Sequence, residues 1–283
     1  MSPLPGMNRS RKCAASIVLL LALVALIGAR GESASYQDRE AIAAPPSAKF
    51  PLGTDDLGRD RLARLIQGTR VSILLAPAAA LLSTFLAAAI GGIAGYAGGR
   101  VDRFVVMLAD LFLSLPWLLL LLAVRALLPL NTPPVASVLL TFLLLGCLGW
   151  ANPGRILRAA ARAAANSDYI LHARACGVSN GRLFWRMLAP NLFPILLAQF
   201  WIAVPVYVLS EANLGLLGLG VSEPLASLGS LLRELASYSA LSQNLVVFAP
   251  VLVLVILSGC LHLLVSQEES RSCLQKCQNN SSS

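Results

Sequence analysis

After residue 70 the chain alternates long apolar runs with short polar or glycine-rich breaks. A membrane-crossing helix needs about 20 apolar residues, with roughly 17 to 25 as the working range. Runs at about 71–97, 104–124, 135–151, 187–210 and 243–265 meet that requirement or lie close to it. An earlier run, "CAASIVLLLALVALIGA" at 13–29, follows Arg9, Arg11 and Lys12. A basic start before a short apolar run fits a secretory leader as well as a first span. Because everything downstream is itself membrane-like, an uncleaved span is the better reading. The pattern therefore predicts an all-α polytopic membrane protein with six transmembrane helices. Residues 1–12 form the N-terminus, 30–70 the first loop, 152–186 a long polar interruption and 266–283 a polar tail.

Composition strengthens this picture. The 283 residues are 57% hydrophobic and 13% charged, with mean hydropathy +0.72, against about 25% charged in a soluble domain. The net charge of +8 suits arginines flanking spans, with no need to invoke nucleic acid. With a cytoplasmic N-terminus, 13 Lys and Arg side chains lie inside and 9 outside, 7 of the latter in 30–70. That places the 152–186 segment and the tail in the cytoplasm. Within 30–70, "GRDRLARLIQGTR" reads as a short amphipathic helix: Leu62, Leu65 and Ile66 share a face, and Arg59, Arg61, Arg64 and Arg70 mark the polar side.

Few groups carry chemistry. Six scattered cysteines lack metal-ligand spacing. The three lysines, Lys12, Lys49 and Lys276, do not follow glycine, so the chain has no phosphate-binding P-loop of its own. With two histidines and no His-Glu-x-x-His, an intramembrane enzyme is disfavoured. Gly91, Gly95 and Gly99 recur every four residues, a small-residue stripe suited to close helix packing. Asp110 falls inside the third predicted span and Glu211 at the end of the fifth. Both are candidates for a wet path or its scaffold, with interfacial carboxylates as the bland alternative.

The 152–186 segment is the most structured polar stretch. "RILRAAARAAA" is strongly helical, Asn166 and Ser167 offer an N-cap, and "DYILHARAC" forms a short helix with Asp168 in its first turn. Gly177 ends it as a left-handed C-cap. A rigid protrusion with a small-residue ridge (Ala173, Ala175, Gly177) suits another protein's groove, or, as the alternative, a lipid headgroup surface.

This segment resembles the EAA loop of ABC-importer permeases. Leu171-His172-Ala173 stands where that pattern has Glu-Ala-Ala, Gly177 occupies its glycine, and Leu188-Ala189-Pro190 its apolar-Leu-Pro ending. "FPLGTDDLGRDRLARLIQGTRVSI" (50–73) is similar to the HPLGTDxLGRDxxSRLxxGxRxSL stretch of the C-type subunit of dipeptide/oligopeptide/nickel permeases. "SEANLGLLGLGVSEPLASLGSLL" (210–232) is similar to that subunit's TEASLSFLGLGVxPPxPSWGxML. The resemblance covers about residues 50–264 and implies a type I ABC-importer permease domain over 71–265, in a bacterial inner membrane.

The resemblance further implies an ATPase-coupling interface at Asp168, Tyr169, Leu171, His172, Ala173, Arg174, Ala175, Gly177 and Pro190. It puts Glu211, Gly218 and Gly220 in the outer scaffold of the pathway. The implied partners are a B-type permease, two ABC ATPase subunits that hydrolyse ATP, and an extracytoplasmic solute-binding protein that selects cargo. No cofactor is bound by this chain. Leu171 and His172 replace the motif's Glu and first Ala, and Leu228 its Trp, so a permease with weakened ATPase coupling is one alternative. A secondary transporter or channel is the other. Cargo is left open between peptides, nickel and other small solutes.

Overall fold

The computed structural model describes residues 7–28, 34–127, 133–221, 223–235 and 245–280. Among them the chain is helical apart from loops and an isolated antiparallel bridge between Thr54 and Asp60. The predicted all-α class is what is observed. The stretch between the third and fourth predicted spans and the first loop lie partly outside the described residues.

In chain order the helices are α1 (Met7–Gly28), α2 (Arg61–Ala87), α3 (Ile93–Ala97), α4 (Gly99–Ser114), α5 (Trp117–Ala126) and α6 (Pro134–Leu148). There follow α7 (Ala151–Ala165), α8 (Asp168–Ala175), α9 (Asn180–Leu183), α10 (Ala189–Leu216), α11 (Leu228–Leu235) and α12 (Ala249–Asn280). Wider π-type turns, Ala88–Gly92 and Phe184–Leu188, join α2 to α3 and α9 to α10. Four stretches are long and apolar enough to cross a membrane: Arg61–Ala97, Pro134–Ala165, Asn180–Leu216 and Val246–Val265. The bent pair α4–α5 makes a fifth when counted as one span, and the apolar part of α1, Lys12–Gly28, is shorter.

Several predicted boundaries change, each for a physical reason. The third span, expected as one helix over 104–124, starts at Gly99 and breaks with an 88° bend between α4 and α5. Pro116 lacks an N–H and drives its predecessor out of the helical region; Leu115 is extended, with φ −93° and ψ 138°. The separate amphipathic helix of the first loop is absent, because α2 begins at Arg61 and continues through the second span. The fifth span runs to Leu216, which places Glu211 inside α10 and not at its end. The backbone of the predicted polar tail continues α12 as helix to Asn280.

The chain divides into two compact units. The first comprises residues 1–76, 125–142 and 204–283. In it α1 lies along α12, α11 packs on α12, and Gly28 meets Ile66 of α2. The second comprises 77–124 and 143–203. Here the Ala88–Gly92 turn, α3 and α4 all pack on α7. Its core gathers Ala87, Leu157, Ala161, Leu188 and Leu192, with a neighbouring cluster of Ala109, Trp150 and Ala151.

Candidate functional site

In the second unit, α7 passes into α8 through Asn166 and Ser167 alone. Ser167 holds the extended N-cap backbone, but its hydroxyl donates back to Ala164 O and makes no capping bond. The end of α8 is a double hydrogen-bonded turn: Gly177 N donates to Arg174 O (3.0 Å) and Val178 N to Ala173 O (3.2 Å). This is a Schellman closure, and it requires the positive φ of Gly177, +79°.

Ile170 is the buried anchor of α8, whereas Asp168, Tyr169, Leu171, His172, Arg174 and Ala175 are exposed and Ala173 is half-buried. Asn191 Nδ2 donates to the Tyr169 hydroxyl (2.6 Å), tying α8 to α10 beside the exposed Pro190. Tyr96 donates to Asn180 O (3.1 Å) and stacks edge-on against Phe184, 5.5 Å between centroids. The helix is thus short, capped and tethered, and presents Tyr169 (44% exposed) and Leu171 (47% exposed) to the outside.

The glycine stripe splits. A Cβ on Gly91 would lie 2.2 Å from Gly154 O, and one on Gly95 would lie 2.4 Å from Arg158 O, so both are pressed against the α7 backbone. Gly99 does not belong to that packing: it stands in open space with φ +62°, because the chain has already turned at Gly98. Asp110 is half exposed and faces Arg155 at 3.2 Å. Asp102, between the second and third predicted spans, is buried. It accepts hydrogen bonds from Nε and Nη2 of Arg158 (2.7 Å for Nη2) and from Nη1 of Arg162 (2.5 Å). The available signal was the pair Arg158 and Arg162, one turn apart on an alanine-rich helix with no acid of its own.

In the first unit Glu211 is fully buried and accepts from Ser72 Oγ (3.3 Å). It lies where α10 and α11 cross on glycine: a Cβ on Gly229 would lie 2.7 Å from Glu211 O, and one on Gly215 2.4 Å from Gly229. Gly220 closes on Gly215 in the same way, and Gly218 (φ +80°) leaves room for the Arg233 guanidinium. Arg125 is buried as well, donating Nε to Leu219 O (3.0 Å) and Nη2 to Ser137 Oγ (3.1 Å).

Arg59 and Arg64 correct the amphipathic reading, since both are buried and not on a solvent face. Asp55 accepts from Arg59 Nε (2.6 Å) and Arg64 Nη1 (2.5 Å), and Arg64 Nη2 meets Glu234 Oε1 at 2.5 Å. Burial pushes Asp55 up, but the Arg59 backbone N–H and side chain, with the charges of Arg59 and Arg64, outweigh it and hold the carboxyl below its usual range. At Glu234 burial prevails over Arg64 and raises it. A cavity of about 220 Å³ opens beside this network, lined by Leu57, Leu65, Leu231, Leu235, Val247 and Pro250 among others.

The family model described as binding-protein-dependent transport system inner membrane component matches residues 87–269. The oligopeptide transport system permease protein OppC of Bacillus subtilis is 32% identical over 220 residues, 77% of this chain and 70% of that protein. OppC of Mycobacterium tuberculosis (strain H37Rv) is 32% identical over 259 residues, 90% of this chain and 87% of its own length. The dipeptide transport system permease protein DppC of Haemophilus influenzae is 30% identical over 255 residues, 87% and 84% of the two chains.

Proposed function

Since the chain belongs to the family of inner membrane components of binding-protein-dependent transport systems, the permease subunits of ABC importers, we propose that its cargo is a short peptide and that α8 is the element seated in a cytoplasmic ATPase. The names of the relatives, oligopeptide and dipeptide permeases, support the cargo. The observation that carries the coupling role is the geometry of α8: a helix capped by a Schellman turn, anchored by Ile170 and tied to α10, with its remaining face uncovered. A stiff element transmits a push where a loose loop would absorb it.

In this reading a second, B-type permease completes the path, two ATPase subunits hydrolyse ATP, and an extracytoplasmic binding protein delivers the peptide. This chain binds no cofactor and performs no hydrolysis itself. Leu171 occupies the position of the motif's Glu, so docking is apolar, through Leu171 and Tyr169, and not led by a carboxylate. Glu211, Gly218 and Gly220 serve as the scaffold of the pathway, and Asp110 stays paired to Arg155 at its margin.

The test is uptake by vesicles containing this chain with a second permease and two ATPase subunits, ATP inside, and labelled tri-alanine or nickel outside with the binding protein. ATP-dependent accumulation of tri-alanine is the expected result. Accumulation of nickel alone overturns the cargo reading.

A further inference from the structure

Displacing α8 displaces α7, because only two residues separate them. Helix α7 is in turn fastened to α4 at three levels. Asp102, in the first turn of α4, holds Arg158 and Arg162 together. Asp110 faces Arg155 further along. Phe112 then meets Trp150 edge-on, 5.8 Å between centroids, over the Ala109–Trp150–Ala151 cluster. At its own ends α4 is set off by changes of backbone direction. Gly98 before it and Gly99 at its first position have φ of +65° and +62° with open space around them, and the 88° break at Leu115–Pro116 follows it. A helix gripped along one flank and hinged at both ends moves with whatever grips it.

We propose that Asp102 is the positioning residue through which movement of the coupling helix enters the broken span α4–α5. This rests on the reading of α8 as the ATPase-docking element. An apolar seam alone fixes separation better than register, since apolar contacts are non-directional. A carboxylate bonded to two guanidinium groups is directional and charge-assisted. Sliding α7 by one residue, about 1.5 Å along its axis, either drags Asp102 along or leaves a buried carboxylate without its partners. The second outcome gives up three charge-assisted hydrogen bonds at once. The acid therefore makes α4 follow α7, and it delivers the movement to the break, beyond which Leu119 of α5 is exposed (58%).

The experiment uses the assembled importer in nanodiscs, with a nitroxide at Leu119→Cys in a chain whose six native cysteines are replaced by serine. Spectra are compared with and without ATP and vanadate. The unaltered clamp gives an ATP–vanadate-dependent change in label mobility, and Asp102→Glu keeps it. Asp102→Asn retains the ATPase and traps nucleotide but loses at least half of that change. Persistence of the full change in Asp102→Asn overturns the proposal, as does the absence of any change in the parent complex while nucleotide is trapped. If the parent chain retains no ATPase, the docking reading itself fails and the proposal falls with it. Should Asp102→Asn not assemble, Arg158→Lys combined with Arg162→Gln reads the same signal, with the same results for and against.

Discussion

Asp55 and Asp102 make the same bond in two different settings. Each carboxylate is buried, and each is shared by two arginines: Asp55 by Arg59 and Arg64, Asp102 by Arg158 and Arg162. Around Asp55 the arginine side chains are themselves buried, 5% and 1% exposed; around Asp102 they are 25% and 54% exposed. Burying both sides removes water as a substitute partner, so the Asp55 cluster is a lock whose parts are costly to separate. Leaving the arginines wet lets water take up the donors of either one, so loss of a single arginine from the Asp102 clamp costs less than loss of one from the lock, while the three bonds together still hold α7 to α4. The first suits a fixed scaffold; the second suits an element that moves with α7, as proposed above.

Three substitutions sharpen that contrast. Arg64→Met takes from buried Asp55 one of its two arginines and from Glu234 its 2.5 Å partner, and should destabilise by about 3–5 kcal/mol, seen as lost expression or a sharply lowered melting temperature in detergent. A result within about 1 kcal/mol of the parent, the range of an exposed pair, removes the distinction between lock and clamp. Gly91→Ala introduces a Cβ 2.2 Å from Gly154 O, and overpacking of this kind costs about 1–3 kcal/mol; a melting temperature lowered by less than Arg64→Met but clearly below the parent is expected. Arg162→Gln removes the most exposed arginine of the clamp and should cost about 0–1 kcal/mol, a shift near the resolution of a thermal melt.

The same contrast explains what could be read in advance. Contacts between sequence neighbours leave a local pattern. Gly177 after an apolar and basic run signals a left-handed cap, and the structure has φ +79° there. Asp55 and Arg59 lie four residues apart, yet their burial was missed because an arginine beside Leu62 and Leu65 looks the same in sequence whether solvent or an acid faces it. Asp102 lies 56 residues from Arg158 and 60 from Arg162, a pairing no local pattern records. The break at Pro116 was hidden for another reason: hydropathy stays high on both sides of it, and apolarity does not report backbone direction. Glu211 was placed at a helix end because the apolar run fades there, while tertiary packing on Gly215 and Gly229 carries α10 on to Leu216.

The central claim is that α8 docks on an ATPase, and Ala175 is the place to test it. It is exposed, lies at the last position of the helix, and takes a larger side chain without the backbone strain that any substitution of Gly177 brings. The parent chain and Ala175→Arg are each purified in detergent with the co-expressed ATPase, and the retained ATPase is measured. The account predicts stoichiometric ATPase with the parent chain and at least a tenfold loss with Ala175→Arg, both chains eluting as single symmetric species. Equal retention by the two, or none by the parent, would contradict it.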